Sequence, residues 1–242
     1  MKSFVVLVAA VAAASLVSAR ADILANWTFE TLPSTNSIIG AGDSPAATQS
    51  GVGADFGSGT ASAAHASAAT AWSIPAGNGS PHSWSANTWA VGDYYQFEVS
   101  ATGFKDLSVS YDQISSSTGP GIFKFGYSTD GVNFTYGSDY TVLVNSSPNV
   151  WSAGTPVLTS SFSENLSAII ALNNQATVFF RLVDDATTSA SQANGGSTAP
   201  GTSGTDRVDN FVVSADPVPE PASLAFGLVG GFAWLVALRR KR

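Results

Sequence analysis

Tyr95-Gln96-Phe97-Glu98-Val99 and, a short turn later, Leu107-Ser108-Val109-Ser110-Tyr111-Asp112 decide the fold. In both stretches apolar and polar side chains alternate with period two, which places one set on each face of a half-buried strand. The rhythm returns in Phe123, Phe125 and Tyr127 against Lys124, Gly126 and Ser128, then in Tyr140, Val142 and Val144, and again in Val178, Phe180 and Leu182. Trp27 with Phe29, and Phe211 with Val213, predict strands at the two ends of the same body. Leu166 to Leu172 reads equally as a short helix or a strand, and at most one or two short helices are expected. Many strands without a βαβ rhythm predict an all-β chain, an antiparallel β-sandwich of jelly-roll type.

Turn chemistry separates these runs. Asp130-Gly131 stands between the Phe123–Tyr127 run and Phe134, a hairpin signal because glycine accepts a positive φ. Gly40 to Thr70 and Thr187 to Thr205 are dominated by small and polar residues and read as long loops.

Charge narrows the function classes. Only 11% of the 242 residues are charged, against roughly 25% in an ordinary soluble domain. Between Asp22 and Asp216, 16 acids face only Lys105, Lys124, Arg181 and Arg207, a net charge of −12. Such a body repels nucleic acid and attracts divalent cations. The chain has no cysteine, which excludes disulfides, thiolate metal sites and thiol catalysis.

The ends carry processing signals. Lys2, the apolar run Phe4 to Val17 and the small residues Ala19 and Ala21 read as a secretory signal peptide cleaved before Asp22, with cleavage before Arg20 as the competing site. Export implies the Sec machinery and signal peptidase as partners. At the other end stand Val218-Pro219-Glu220-Pro221, the uncharged apolar stretch Ala222 to Leu238, and the cluster Arg239-Arg240-Lys241-Arg242. As a helix, the apolar stretch rises about 25 Å, close to the lower limit for one transmembrane span. The terminal cations hold that end in the cytoplasm and leave Pro-Glu-Pro on the far side.

This order of motif, apolar span and basic end resembles the PEP-CTERM sorting signal of Gram-negative bacteria. The resemblance implies an exosortase, a membrane-embedded transpeptidase-like protease, as partner. Pro219, Glu220 and Pro221 would be its recognition motif and Arg239, Arg240, Lys241 and Arg242 the cytoplasmic stop. It also implies passage through the inner membrane to the outer surface or a biofilm matrix. An uncleaved C-terminal anchor is the alternative. The expected organisation is therefore a signal peptide over 1–21, a β-sandwich over 22–216, and a sorting or anchor segment over 217–242.

Within the body, Trp27-Thr28-Phe29-Glu30 and Asp206-Arg207-Val208-Asp209-Asn210-Phe211-Val212-Val213 resemble the first and last strands of carbohydrate-binding-module-like jelly rolls. The hairpin Tyr127-Ser128-Thr129-Asp130-Gly131-Val132-Asn133-Phe134 is similar to one common in discoidin-like and sugar-binding sandwiches. In such jelly rolls a structural calcium ties the first strand to the last. The resemblance would make Glu30, Asp206 and Asp209 its carboxylates, a hard-oxygen set that suits the ion. For stacking on a glycan the chain offers Trp72, Trp84, Trp89 and Trp151 with Tyr94, Tyr111 and Tyr136, and the polar setting of Trp84 and Trp89 singles these two out.

Signals for catalysis are few. His65 and His82 form no paired-His metal motif, no GxSxG elbow occurs, and Asp184-Asp185 are neighbours whose side chains point to opposite faces of a strand. Asn26, Asn78, Asn133, Asn145 and Asn165 begin Asn-x-Ser/Thr sequons. The reading that follows is an exported, non-enzymatic structural or adhesive component of the cell surface or matrix. A polysaccharide-binding module is the first alternative and a polysaccharide-active enzyme the second.

Overall fold

A computed structural model describes residues 21–32, 45–185, 187–195 and 199–218. The segments bearing Ala19, Pro219, Glu220, Pro221, Arg239, Arg240, Lys241 and Arg242 lie outside the described residues, and with them the proposed signal, sorting motif and membrane helix. Among the described residues no helix is long and apolar enough to cross a membrane.

Among the described residues fourteen strands build two sheets: β1 (Asp22–Trp27), β2 (Thr48–Gly53), β3 (Phe56–Gly57), β4 (Gly59–Ala64), β5 (Trp72–Ser73), β6 (Trp84–Ala86), β7 (Tyr94–Val99), β8 (Phe104–Ser115), β9 (Ile122–Ser128), β10 (Thr135–Thr141), β11 (Leu143–Val144), β12 (Ser161–Asn165), β13 (Val178–Asp184) and β14 (Asp206–Pro217). One sheet of six strands runs β10-β9-β13-β7-β4-β2. The other, of eight, runs β11-β8-β14-β1-β3, with β12 also on β8 and β6 joining β14 to β5. Every pairing is antiparallel except that of β11 with β8. The helical content of the described residues is one turn of α-helix, Ala190–Ala193, and two 3-10 turns. One of these, Ile170–Leu172, resolves the ambiguous Leu166 to Leu172 stretch.

The alternation read in the sequence becomes the core. Tyr95, Phe97 and Val99 of β7, Leu107, Val109 and Tyr111 of β8, Phe123 and Phe125 of β9, and Phe180 and Leu182 of β13 are all buried. Rings bridge the two layers: Phe97 stacks on Phe211 at 3.5 Å, Trp27 meets Phe97 edge-on at 5.1 Å, and Tyr111 lies parallel to Phe125. Burying such a ring contributes roughly 1.5–3 kcal/mol by area alone, so the sandwich seam carries most of the stabilisation.

A bulge in β14 sets the phase of that seam. Asp206 and Val208 face inward, yet so do Phe211, Val213 and Ala215, which differ from them in parity. The register against β8 shifts between Asp209 and Val212, and Asn210 takes a left-handed φ of 49° there, a conformation its short side chain tolerates.

Two sequence expectations are corrected. The stretch Gly40 to Thr70, read as loop, holds β2, β3 and β4, because pairing along β7 overrides the weak strand propensity of Gly, Ala and Ser. The run Tyr140 to Val144 is not one strand: β10 ends the six-stranded sheet, and β11 crosses to the other sheet and pairs with β8.

Candidate functional site

The tryptophans of the described residues belong to the interior. Trp84 has no exposed surface, packed between Phe29, Trp72 and Tyr95, and it presents no face to a glycan; this corrects its assignment as a contact residue. Trp72 and Trp151 are buried as well. Trp89 is half-buried, its indole N–H donating to the Ala86 carbonyl and its ring packed on His65, Tyr95 and Phe123, so it too serves the core.

The aromatic surface is on the outer face of the six-stranded sheet. Cross-strand pairing there lines up Tyr136 of β10, Gly126 of β9, Arg181 of β13 and Gln96 of β7 in one row. Ser62 of β4 continues it. Tyr136, 40% exposed, rests on the backbone of Gly126, where a Cβ would lie 2.5 Å from its ring. The Arg181 guanidinium sits between two rings, 3.9 Å from the centre of Tyr94 and 3.8 Å from that of Phe134, while its Nε donates to Gln96 Oε1 at 2.8 Å. Phe134 stacks in turn on Tyr136, and Lys124 lies over the other side of the strip, 5.2 Å from the Tyr136 ring and paired with Asp185 at 2.6 Å. The result is an aromatic strip pinned by a flat cation, the kind of surface on which sugar rings stack and hydroxyls find donors.

The hairpin predicted at Asp130-Gly131 holds Phe134 in that strip. Asp130 Oδ1 accepts hydrogen bonds from the Ser128 hydroxyl and from the N–H groups of Val132 and Asn133, and Oδ2 from the Asn133 amide. These bonds, the Asn133 side chain foremost, hold the carboxyl well below the usual carboxylate range. Gly131, at φ 72°, packs so close to the Phe179 ring that a Cβ would come within 3.1 Å. A short polar motif thus folds back over the sheet and delivers a ring to Arg181.

The three expected calcium ligands do not converge. The Asp206 carboxylate is fully buried in the sandwich, accepting from Gln113 Nε2 and Ser115 Oγ. Asp209, on the opposite face of β14, accepts from the Asn78 N–H and the Ser80 hydroxyl, and Glu30 accepts from the His82 N–H. Among the described residues no three His, Asp or Glu side chains are grouped to hold a metal ion. Asp206 and Asp209 both precede the register shift, and an odd spacing of three in a regular stretch of β14 puts them on opposite faces.

The remaining candidates fall into structural places. His65 is buried beside Asp93 and Thr70, and burial pushes its pKa down to about 4, which keeps it neutral. Asp184 is buried while Asp185 reaches Lys124 on the outer face, the opposition expected of strand neighbours. Of the sequon asparagines, Asn78 is buried against Val157, Asn145 accepts from the Trp151 N–H, and Asn133 is tied to Asp130. Asn26 is half-buried in β1, and Asn165 is exposed at the end of β12. On the eight-stranded sheet an open groove of about 440 Å³ is lined by residues such as Ser108, Ser110, Ser163, Asn165 and Asp216; no aromatic ring lines it.

No family model matches the chain, and no curated protein matches it. Solved structures with a loose likeness include the K2 cleaved adhesin domain of Lys-gingipain, at 11% identity over 78% of this chain and 96% of that one, with a TM-score of 0.37. The K1 cleaved adhesin domain of Lys-gingipain from Porphyromonas gingivalis W83 matches at 13% identity over 80% and 98%, with a TM-score of 0.36. TmCBM61, solved in complex with β-1,4-galactotriose, matches at 11% identity over 69% and 81%, with a TM-score of 0.26. At such scores function has to be read from this chain's own residues.

Proposed function

We propose that this chain is an exported surface or matrix protein whose β-sandwich is an adhesive, carbohydrate-binding module and not an enzyme. The carrying observation is the strip Tyr94–Arg181–Phe134–Tyr136 on the outer face of the six-stranded sheet. Stacked rings with an interleaved guanidinium and a neighbouring carboxamide, Gln96, offer apolar faces and hydrogen-bond donors together, as polysaccharide binding requires. In this reading the Sec machinery and signal peptidase remove residues 1–21. Exosortase then acts at Pro219-Glu220-Pro221, and the sandwich is displayed at the surface or in the extracellular polysaccharide.

Two measurements test it. Tyr136→Ala removes an exposed ring, so the unfolding free energy should stay within about 0.5 kcal/mol of the parent's. Retention on immobilised polysaccharide in native affinity electrophoresis should weaken about tenfold. Parent and variant behaving alike across neutral and acidic polysaccharides would remove the strip from consideration, and turnover of any of them by the purified sandwich would replace the module by an enzyme. Sorting is read separately, by the intact mass of the protein recovered from its native envelope and medium. The expected species begins at Asp22 and ends near Pro219-Glu220-Pro221; one retaining Ala222 to Arg242 would make the tail a permanent anchor.

A further inference from the structure

The cations of this acidic body are not equivalent. Lys105 pairs with Asp106 and Lys124 with Asp185. Arg207, largely buried, donates to the Ala76 carbonyl and lies in the field of Asp206. Neither arginine has a carboxylate within ion-pair distance among the described residues, although acids outnumber bases 16 to 4 between Asp22 and Asp216, and of the two it is Arg181 that stands on the outer face of a sheet. Its neighbours are two rings and an amide. Both faces of the guanidinium are covered, its Nε is committed to Gln96, and its terminal nitrogens make no hydrogen bond among the described residues. A planar fork fixed in this way, on an outward-facing position of β13, is pre-organised for a bidentate carboxylate.

We propose that Arg181 makes the strip selective for an acidic heteropolysaccharide, one carrying a uronate among neutral sugars. The uronate carboxylate seats on the guanidinium edge while adjoining sugars stack on Tyr136 and Tyr94. This rests on the strip being the glycan site and goes beyond it to the class of glycan. A single unpaired cation fits an isolated carboxylate. A polymer charged at every residue meets Asp139 and Asp185 beside Lys124 and Glu98 on β7, together with the net −12 of the body, and is repelled. Salt screens that repulsion along with the attraction, so ionic strength is a poor probe and ligand chemistry a good one.

The test uses the purified sandwich with its processing ends intact and a panel of glucuronoxylan, xanthan and gellan. Each polymer is offered as such and after its carboxyls have been reduced to alcohols. The expected result is that at least one acidic polymer is retained about tenfold or more over its reduced form, the range of a hydrogen-bonded charge. Arg181→Gln should abolish that preference, Arg181→Lys should restore part of it, and Tyr136→Ala should weaken both forms. Because reducing the polymer leaves the protein untouched, a variant that folds poorly does not blur the result. Equal retention of acidic and reduced forms by the parent, with Tyr136→Ala still weakening both, would overturn the selectivity and leave the strip as a neutral-glycan site. No retention of either form, with Tyr136→Ala matching the parent, would overturn the strip as well.

Discussion

Trp84→Ala should lower the stability of the sandwich by about 4 kcal/mol, the range for removing a fully buried indole, and the melting temperature by about 10 °C for a domain of this size. The ring has no exposed surface and meets Phe29, Trp72 and Tyr95 at centroid distances of 5.2–5.8 Å, so its loss opens a cavity that three other rings cannot fill without leaving their own contacts. Its indole N–H has no hydrogen-bond partner among the described residues. Trp84→Phe should therefore cost much less, since only volume is lost and no bond is broken. Chemical denaturation of the three proteins measures both effects. Glycan retention well below the transition should be the same in all three, because Trp84 faces the interior while the strip lies on the outer face of the opposite sheet. Retention lost in a folded Trp84→Phe protein would return this residue to the binding site.

The sandwich was legible wherever side chains alternate in size and polarity. Tyr95, Phe97 and Val99 could face only a core, and they do. The β4 strand was not legible, because Gly59-Thr60-Ala61-Ser62-Ala63-Ala64 carries no strand propensity. Its small residues are instead what the packing requires: a Cβ on Gly59 would lie 2.6 Å from the Trp27 ring. Composition reads such a stretch as loop, whereas the space beside Trp27 selects it as strand.

The proposed binding face shows a similar division. Tyr94, Tyr136, Trp84 and Trp89 are all aromatic, and sequence offers no rank among them beyond polar surroundings, which favoured the wrong pair. What separates them is register: Tyr94 and Tyr95 are neighbours on opposite faces of β7, and Tyr136 stands opposite a glycine that lets its ring lie on the sheet. Arg181 and Phe134 had a signal that went unused. Arg181 shares the outward parity of Phe179 within Val178-Phe179-Phe180-Arg181-Leu182, so a cation there must sit on the solvent face. The Asp130 turn then returns Phe134 toward it. The calcium set fails on the strand period itself, since Asp206 and Asp209 stand three residues apart on a regular stretch of β14 and so face opposite ways.

The burial of Asp209 also makes the fold sensitive to pH, and the sandwich should be more stable near pH 5 than near pH 8. Burial is the main cause that pushes Asp209 up to about 7, aided by the field of Asp112 and opposed by the hydrogen bonds from Ser80, Asn78 and Asn210. Unfolded, the same carboxyl titrates near its ordinary value of 3.8. Between these two values the folded chain holds a proton that the unfolded chain has released, so stability falls by about 1.4 kcal/mol per pH unit as pH rises. The contribution is fully present below about pH 4 and lost by about pH 7, a total on the order of 4 kcal/mol. Asp206, fully buried, is raised in the same direction and steepens the fall. His65 opposes it: its imidazole, ordinarily at 6.5 and held down to about 4 by burial, adds stability as pH rises between those values and offsets a slope of Asp209's size, so that the net fall there is carried by Asp206. Asp130, whose depressed carboxyl contributes above its unfolded value, loses that contribution in acid, which confines the stability maximum to the mildly acidic range. Denaturant unfolding from pH 4 to pH 8 measures the slope, and Asp209→Asn isolates the residue responsible. The asparagine cannot titrate, so the variant's curve should be flatter between pH 4 and pH 7 even though the amide breaks one of the bonds from Ser80, Asn78 or Asn210 and lowers the curve as a whole. Parallel curves for parent and variant would show that Asp209 keeps an ordinary carboxylate, and that the polar cage around it outweighs its burial.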